Sequence, residues 1–291
     1  MVLNGTLIRK AILAELAEKV QSHLQAGKRP PHLAAVLIGE DPASQTYVAH
    51  KVRDCQQVGY QSTLIHKEAA ISQAELLGII AELNQDARID GFIVQLPLPA
   101  HLSEVAVIEA IAPEKDVDGF HPVNIGRMSK GLQALLPATP AGIVELLQRY
   151  GIETQGKHCV VVGRSNIVGT PMALLMSRNR NPGNCTVTLC HSHTQNLGHY
   201  TRQADILIAA AGQPEFISAD MVKEGAVVID VGIHRKADAS HPNGFRLVGD
   251  VQYDQVAPKA KAITPVPGGV GPMTRAMLLL NTYHVYHATH G

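Results

Sequence analysis

The sequence has no excess of charge of either sign, since 25 Lys and Arg residues balance 25 Asp and Glu residues among 291. It contains no basic block and no alternation of basic with aromatic residues, the patterns typical of proteins that bind nucleic acid or a membrane surface. No apolar run reaches the roughly 18 residues that a transmembrane helix needs. We therefore expect no nucleic acid and no membrane among the partners.

Disulfide and metal chemistry are also poorly supported. The four cysteines are scattered without a CxxC pair, and the N-terminal segment lacks the apolar core of a signal peptide, so we expect a cytoplasmic protein with reduced, structural cysteines. His191 and His193 would share a face on a strand, but no Cys, Asp or Glu nearby completes a zinc-like set, and HExxH is absent. The sequence predicts no metal site.

What the chain does contain is an alternation of short Val-, Ile- and Leu-rich runs with longer helical patterns, which indicates an α/β fold. Its length and its 45% hydrophobic content suit two domains. In the first half, helices are predicted over residues 7–25, 42–59 and 72–86, and strands at LAAVLIG and DGFIVQLPLP. Parallel strands bind ligands beyond their carboxyl ends, where Gln95 and Pro97 lie.

The second half starts the pattern again after the helical segment PATPAGIVELLQRYG. Four apolar runs, HCVVVG, TVTLCH, DILIAAAG and AVVIDVGI, form a Rossmann-like series of strands. Residues 235–247 are polar and contain Pro-Asn-Gly, which predicts a surface turn. The chain then ends in a Gly/Pro loop and a helix with Pro272 near its start.

The helix over residues 42–59 has Tyr47 and Lys51 four positions apart along the border of an apolar stripe. An aspartate at the cap, a proline at the first position and a final glycine delimit it. Most lysines beside such a stripe keep only their stem buried. The spacing alone leaves open whether Lys51 does so or belongs to a site.

A glycine turn joins a buried strand to a helix in VVVGRSNIVGTP. It has Gly163, Arg164, Ser165 and then Gly169, a variant of the dinucleotide pattern GxGxxG that would also suit an ordinary tight turn. Glycines allow close backbone approach, and the N-terminus of the following helix attracts phosphate.

The end of the next strand, TLCHSHT, has no acid to hold a free ribose 2′-hydroxyl. It offers Ser192 between His191 and His193, and Arg164 can approach from the glycine turn. This combination favours NADP over NAD.

Eight long motifs then recur in the order of a known family: SQTYVAHK, DGFIVQLPLP, PEKDVDGFHPVNIGR, PATPAGIVELL, VVVGRSNIVGTP, GAVVIDVGI, GDV and ITPVPGGVGPMT. With them the chain resembles the bifunctional methylenetetrahydrofolate dehydrogenase and methenyltetrahydrofolate cyclohydrolase family. The resemblance implies oxidation of 5,10-methylenetetrahydrofolate with NADP⁺, followed by hydrolysis to 10-formyltetrahydrofolate. It also implies a homodimer acting on tetrahydrofolate derivatives in one-carbon metabolism and purine biosynthesis.

The resemblance further implies a folate-binding α/β domain over residues 1–138, on which residues 272–291 pack back, and a Rossmann-like NADP-binding domain over residues 139–271. It implies that Tyr47 stacks on the folate, Lys51 is the catalytic lysine, Gln95 hydrogen-bonds it, and Asp118 holds the pterin. Further substrate contacts are expected from Pro97, Pro267, Gly268 and Gly269. Cofactor contacts are expected from Gly163, Arg164, Ser165, Val168, Gly169, Ser192, Ile233 and Thr274.

One residue departs from the family pattern, because Ala138 stands where the family commonly has Cys. We expect little loss of activity, since the lysine is the proposed acid and base.

Two other functions remain open. A short-chain dehydrogenase also uses Tyr and Lys four apart, but downstream of its glycine loop, whereas here the pair lies more than 100 residues upstream. A non-catalytic folate- or nucleotide-binding relative is the second.

Overall fold

The chain divides into two compact units in the computed structural model, which describes residues 1–241 and 244–290. The N-terminal unit comprises Lys10–Ala138 and Arg275–Gly291, and the central unit comprises Met1–Arg9 and Thr139–Thr274. The sequence placed residues 1–9 in the first domain. In the structure these residues lie in the compact central unit, where Leu3 donates its N–H to the carbonyl of Ile263 over 2.8 Å. The domain boundaries stay a prediction.

Up to residue 129, helices and parallel strands alternate. In chain order these elements are α1 Gly5–Gln25, β1 His32–Ile38, α2 Pro42–Val58, β2 Gln61–Lys67, α3 Gln73–Gln85, β3 Gly91–Val94, α4 Glu104–Ala110 and α5 Pro122–Ser129.

The sheet of the N-terminal unit has the strand order β2–β1–β3, with both neighbours parallel to β1. Every residue of β1 and β3 is buried, which is why both appear in the sequence as continuous apolar runs. Strand β2 lies at an edge, is largely exposed and carries no such run, so its sequence QSTLIHK gave no comparable signal. The chain passes from β2 to β3 across β1, so the carboxyl ends of β1 and β3 form a switch point where ligands commonly bind.

Helix α2 follows β1 directly and has the ends that its sequence predicts. The Asp41 side chain accepts a hydrogen bond from the N–H of Ser44 over 2.7 Å, Pro42 occupies the first turn, and Gly59 ends the helix with φ of 78°. These caps fix where the helix starts relative to the sheet. They thereby fix which residues of α2 lie at the switch point.

The central unit and the C-terminus continue the α/β pattern. The elements are α6 Ala138–Arg149, β4 His158–Val162, α7 Gly169–Ser177, β5 Thr186–Cys190, α8 Leu197–Thr201, β6 Ile206–Ala209, a 3₁₀ turn Ala219–Met221, β7 Val227–Asp230, β8 His234–Ala237, β9 Phe245–Val248, α9 Tyr253–Val256, β10 Ala262–Ile263 and α10 Val270–His290.

The central sheet is parallel with the order β10–β7–β6–β4–β5, which confirms the Rossmann-like series and adds β10 to the four predicted strands. Strand β4 has β5 on one side and β6 on the other. The strand order therefore reverses at β4, and the loop after it lies at a topological switch point.

The polar segment predicted as a surface turn overlaps strands β8 and β9, which pair antiparallel. Residues 242 and 243, in the middle of that predicted turn, lie outside the described residues. Among the residues that the structure describes, none of the helices combines the length and the hydrophobicity that crossing a bilayer requires.

Candidate active site

Lys51 lies in the middle of α2 with Tyr47 one turn before it. The lysine is half-buried, and its Nζ donates a hydrogen bond to Oε1 of Gln95 over 3.1 Å. The tyrosine is 40% exposed, so its ring is open to a ligand. The two side chains on the border of the apolar stripe thus differ, since one is tied to the sheet and the other is accessible.

Gln95 meets the lysine because it directly follows β3 at the carboxyl end of the sheet. Its backbone N–H donates to the carbonyl of Val36 on β1 over 2.9 Å, which extends the strand pairing by one residue. Its side-chain Nε2 donates to the carbonyl of Leu96 over 2.6 Å, which leaves Oε1 directed at Lys51. The amide is therefore held as an acceptor for the lysine.

Asp118 enters the same edge of the sheet from a loop that runs beside β3. Phe92 donates its N–H to the carbonyl of Lys115 over 3.0 Å and forms a parallel bridge with Asp116. The chain is then two residues from Asp118, whose own carbonyl accepts the N–H of Ala138 over 3.1 Å. The half-buried carboxyl of Asp118 is thus brought to the side of Lys51.

Asp116, two residues earlier, shapes this loop. Its buried carboxylate accepts hydrogen bonds from the backbone N–H groups of Gly119 (3.1 Å) and His121 (2.8 Å) and from Nδ2 of Asn124 (3.0 Å). In PEKDVDG the family resemblance points only to the second aspartate, Asp118. Asp116, the first aspartate, is the one that organises the backbone. The presence of two acids in that motif was the only sequence feature that could have indicated it.

Burial dominates the electrostatics of Lys51 and Asp118. It lowers the pKa of Lys51 below its usual value, an effect that the charge of Asp118 opposes and the charge of Arg275 reinforces. Burial also raises the pKa of Asp118, which Lys51 opposes. Cys55, one turn further along α2, stays a neutral thiol because burial raises its pKa to about 12. At neutral pH, a larger fraction of a lysine in this setting is uncharged than of a free lysine. Proton transfer requires such an uncharged fraction.

The C-terminal helix contributes two residues that the sequence analysis did not select. Asn281 donates from Nδ2 to the carbonyls of Val117 (2.8 Å) and Leu136 (3.0 Å), which ties the Asp118 loop to α10. Arg275 reaches α2, where its Nη1 lies 2.8 Å from Nδ1 of His50. No sequence pattern around Asn281 or Arg275 indicates the contacts that these side chains make.

The other predicted substrate contacts are less closely tied to the lysine. Pro97 is exposed two residues beyond Gln95. Pro267, Gly268 and Gly269 belong to the central unit, where the carbonyl of Gly268 accepts the N–H of Thr6 over 3.1 Å. Their contact with a folate stays a prediction.

In the central unit, the glycine turn lies at the switch point after β4. A Cβ on Gly163 would be 2.0 Å from the carbonyl oxygen of Ala210 at the end of β6, and Gly163 has φ of 121°. A Cβ on Gly169, the first residue of α7, would be 2.0 Å from the carbonyl oxygen of Gly163. Only glycine fits at both positions, so the turn leaves room for a close-lying pyrophosphate at a helix N-terminus.

Arg164 and Ser192 lie at the same edge of the central sheet. Val162 of β4 pairs with Cys190 of β5, and each of the two residues follows its strand by two positions. Both are exposed, as is Ser165, whose hydroxyl accepts the N–H of Val168 over 3.2 Å. A cation, hydroxyls and no carboxylate in this segment form a donor set that suits a 2′-phosphate, so these residues fit NADP.

Ile233 and Thr274 are two further predicted cofactor residues. Ile233, three residues beyond β7, is 49% exposed. The hydroxyl of Thr274 lies 3.0 Å from the hydroxyl of Thr139 near the start of α6. Their contact with a nucleotide stays a prediction.

The remaining candidates have structural roles. All four cysteines are free and buried. Ala138, at the position where the family commonly has Cys, is 2% exposed and uses its N–H to hold the Asp118 loop. Within residues 1–241 and 244–290, no cluster of three His, Cys, Asp or Glu side chains has the spacing of a metal site.

The fold and these two sites define an α/β protein that combines a Rossmann-type glycine turn with a lysine whose pKa is lowered by burial and whose Nζ donates to a glutamine. The family model for the tetrahydrofolate dehydrogenase/cyclohydrolase catalytic domain matches residues 3–118, and that for the NAD(P)-binding domain of the same family matches residues 137–290. The chain belongs to this family, which confirms the resemblance found in its motifs.

Relatives match over nearly the whole chain. The bifunctional protein FolD of Cytophaga hutchinsonii is 59% identical over 97% of each chain, and that of Porphyromonas gingivalis is 56% identical over 97% of this chain and 95% of its own. The crystal structure of the bifunctional FolD dehydrogenase/cyclohydrolase from Campylobacter jejuni has a TM-score of 0.93 at 46% identity, covering 99% of both chains. A Trypanosoma brucei relative, solved with NADP cofactor and inhibitor, has a TM-score of 0.93 at 38% identity, covering 99% of this chain and 98% of its own.

Proposed function

We propose that this protein oxidises 5,10-methylenetetrahydrofolate to the methenyl form with NADP⁺ and then hydrolyses the methenyl form to 10-formyltetrahydrofolate. Membership of the family supports both activities. The observation that carries the proposal is the Lys51–Gln95 hydrogen bond of 3.1 Å at a lysine whose pKa burial lowers. A neutral amide accepts from the lysine without fixing its charge as a carboxylate would.

Lys51 serves the hydrolysis. Its uncharged amine takes a proton from the water that bonds to the methenyl carbon, and its ammonium form then gives a proton to the ring nitrogen as the carbon–nitrogen bond breaks. The hydroxyl proton of the intermediate leaves as the formyl carbonyl forms, so the cation and water give the formyl product and one proton. Gln95 keeps Nζ oriented between these transfers.

Tyr47 and Asp118 orient the folate. The exposed ring of Tyr47 offers a flat apolar surface for stacking one turn away from the lysine. The carboxyl of Asp118 accepts hydrogen bonds from the pterin amino group and ring N–H, and Asp116 holds its loop in place.

In the oxidation, the residues of the central unit bind and orient the nucleotide. The turn from Gly163 to Gly169 accommodates the pyrophosphate, and Arg164 and Ser192 donate to the 2′-phosphate. When bound, NADP⁺ supplies the acceptor for the hydride of the methylene carbon. That step depends on geometry more than on a proton acceptor, so it uses Lys51 less directly.

We also propose that the protein is a cytoplasmic homodimer that supplies formyl groups for purine biosynthesis, with domains over residues 1–138 plus 272–291 and 139–271. The family resemblance supports this assembly and role. Sedimentation at equilibrium measures the dimer, and a monomer at micromolar concentration would contradict it.

The decisive experiment incubates the purified protein with methylenetetrahydrofolate and either NADP⁺ or NAD⁺, and follows reduced-cofactor absorbance together with product identity. We expect formation of 10-formyltetrahydrofolate and a preference for NADP⁺. No absorbance change with folate supplied would favour a non-catalytic binding relative, and turnover of simple alcohols without folate would favour a short-chain dehydrogenase.

A further inference from the structure

Arg275, at the point where α10 joins the N-terminal unit, holds a charge close to the lysine's own helix. Its Nη1 lies 2.8 Å from Nδ1 of His50 and 3.4 Å from Oδ2 of Asp54. The side chain of Arg275 is 18% exposed and that of Asp54 is 4% exposed. This is a cation fixed in a mostly dry environment, where charges act over longer distances than in water.

The two residues that hold Arg275 flank Lys51 along α2. His50 immediately precedes the lysine and Asp54 follows it by three, and residues four apart lie on one face of a helix. The guanidinium therefore rests on the face next to the one that carries Lys51. From there it lowers the pKa of the lysine, while burial, the larger cause, acts in the same direction.

The other groups around Lys51 come from three elements. Asp118, on the loop beside β3, raises the pKa of the lysine. Cys55, on α2 itself, is a neutral thiol because burial raises its pKa to about 12, and Gln95, at the end of β3, is also neutral. Asp118 belongs to the loop that is proposed to bind the pterin. Arg275 is held instead by His50 and Asp54, and the Asp54 carboxylate offsets part of its charge.

We propose that Arg275, held by His50 and Asp54 on either side of Lys51 along α2, is a positioning residue for the cyclohydrolase step. Its positive charge favours the uncharged form of Lys51. This inference rests on the proposed role of Lys51 as the proton carrier. It assigns to Asp54 and His50 the task of holding the guanidinium, and it makes hydrolysis, rather than oxidation, the step that depends on Arg275.

The test separates the charge of residue 275 from its hydrogen bonds. Arg275→Gln keeps a donor for His50 or Asp54 but has no charge, whereas Arg275→Lys keeps the charge. We expect Arg275→Gln to move the acid limb of the cyclohydrolase pH profile upward by about one unit, which is about a tenfold loss of rate below that limb. Arg275→Lys should leave the acid limb within about 0.3 pH unit of its position in the unchanged protein. In both variants the dehydrogenase rate and the KM for folate should change by less than about twofold.

Arg29 provides a matched control in the same unit. Its guanidinium binds the buried carboxylate of Asp90 through two hydrogen bonds of 2.8 and 2.7 Å, and it is not among the groups that act on Lys51. Arg29→Gln should lower the melting temperature at least as much as Arg275→Gln and leave the acid limb in place. An unmoved limb in Arg275→Gln, or an equal movement in Arg29→Gln, would overturn the proposal.

A second measurement reads the lysine without turnover. In protein labelled with ¹³C-lysine, the Cε resonance that disappears in Lys51→Met belongs to Lys51, and its pH titration should move upward by about one unit in Arg275→Gln. Thermal denaturation shows whether each variant is folded, and Arg275→Met replaces Arg275→Gln if the latter is not. If Lys51→Met keeps cyclohydrolase activity, the proposed function of the lysine is wrong. If Lys51 is essential but its titration does not shift in Arg275→Gln, only the proposed role of Arg275 is wrong.

Discussion

The two units build their sites from different parts of the chain. In the N-terminal unit the important groups are side chains, Lys51, Gln95 and Asp118, which are half-buried, and the two titratable ones have pKa values displaced by burial. In the central unit the important feature is backbone at Gly163 and Gly169, with exposed polar side chains around it. Proton transfer needs a lysine partly stripped of water, whereas binding of phosphate needs accessible donors and close backbone approach.

This difference predicts how each site fails. A substitution among the buried side chains should change the chemistry and its pH dependence while leaving nucleotide affinity alone. A substitution in the glycine turn or its exposed neighbours should change nucleotide affinity and leave the pH dependence of hydrolysis alone. The experiments below test that separation, in order of decreasing expected effect.

Lys51→Met should have the largest effect, because methionine has a similar length and cannot exchange a proton. Cyclohydrolase activity should fall by about 10²–10⁴-fold, the usual contribution of a positioned acid–base group. Dehydrogenase activity should remain measurable, so methenyltetrahydrofolate accumulates and its absorbance can be followed. A folate-binding measurement serves as the control, and hydrolysis near the wild-type rate would show that Lys51 only binds.

Gly163→Ala should disrupt the nucleotide turn. The new Cβ would lie 2.0 Å from the Ala210 carbonyl oxygen at φ of 121°, so stability should fall by about 3 kcal/mol or more and NADP⁺ binding should be lost. Gly156→Ala is the matched control, because Gly156 has φ of 72° with nothing within 4 Å of its added Cβ. It should cost only about 1–2 kcal/mol and retain binding. Nucleotide titration and thermal denaturation measure both, and equal losses would refute the steric argument.

Arg164→Ala should raise the KM for NADP⁺ far more than the KM for NAD⁺, since only the 2′-phosphate loses a charge-assisted contact. Such contacts contribute about 1.5–3 kcal/mol, or roughly 10- to 100-fold. Steady-state kinetics with both cofactors gives the two ratios. Equal increases would mean that Arg164 does not reach the 2′-phosphate, and comparable efficiency of the unchanged protein with NAD⁺ would contradict the NADP⁺ preference itself.

The sequence predicted the parts of this molecule whose signals are local. The caps of α2 and the apolar runs of β1, β3 and the Rossmann strands are continuous in the chain, so their elements were found. Strand β2 was missed because an exposed edge strand needs no apolar run, and the hydrogen bond between Leu3 and Ile263 was not predicted because the two residues are more than 250 positions apart. Long-range pairing leaves no mark in a single local segment.

The same distinction applies to the sites. Motif resemblance selected Lys51, Gln95 and Asp118, and the structure brings them together because two strand ends and a loop meet at one switch point. Arg275 and Asn281 went unnoticed because each acts through a partner far away in sequence. Asp116 was passed over because an acid that accepts backbone N–H groups looks, in sequence, like the neighbouring acid Asp118.

Asp118→Asn should have the smallest effect on rate and the most informative sign. The charge of Asp118 raises the pKa of Lys51, so its removal lets the lysine lose its proton at a lower pH. The acid limb of the cyclohydrolase profile should therefore move downward by less than about one unit, opposite to the change expected for Arg275→Gln, while the KM for folate rises because asparagine keeps only one of the two acceptor oxygens. NADP⁺ affinity serves as the control and should not change. An unmoved limb would mean that Asp118 carries no charge beside the lysine during hydrolysis, and a limb that moves upward would contradict the predicted sign.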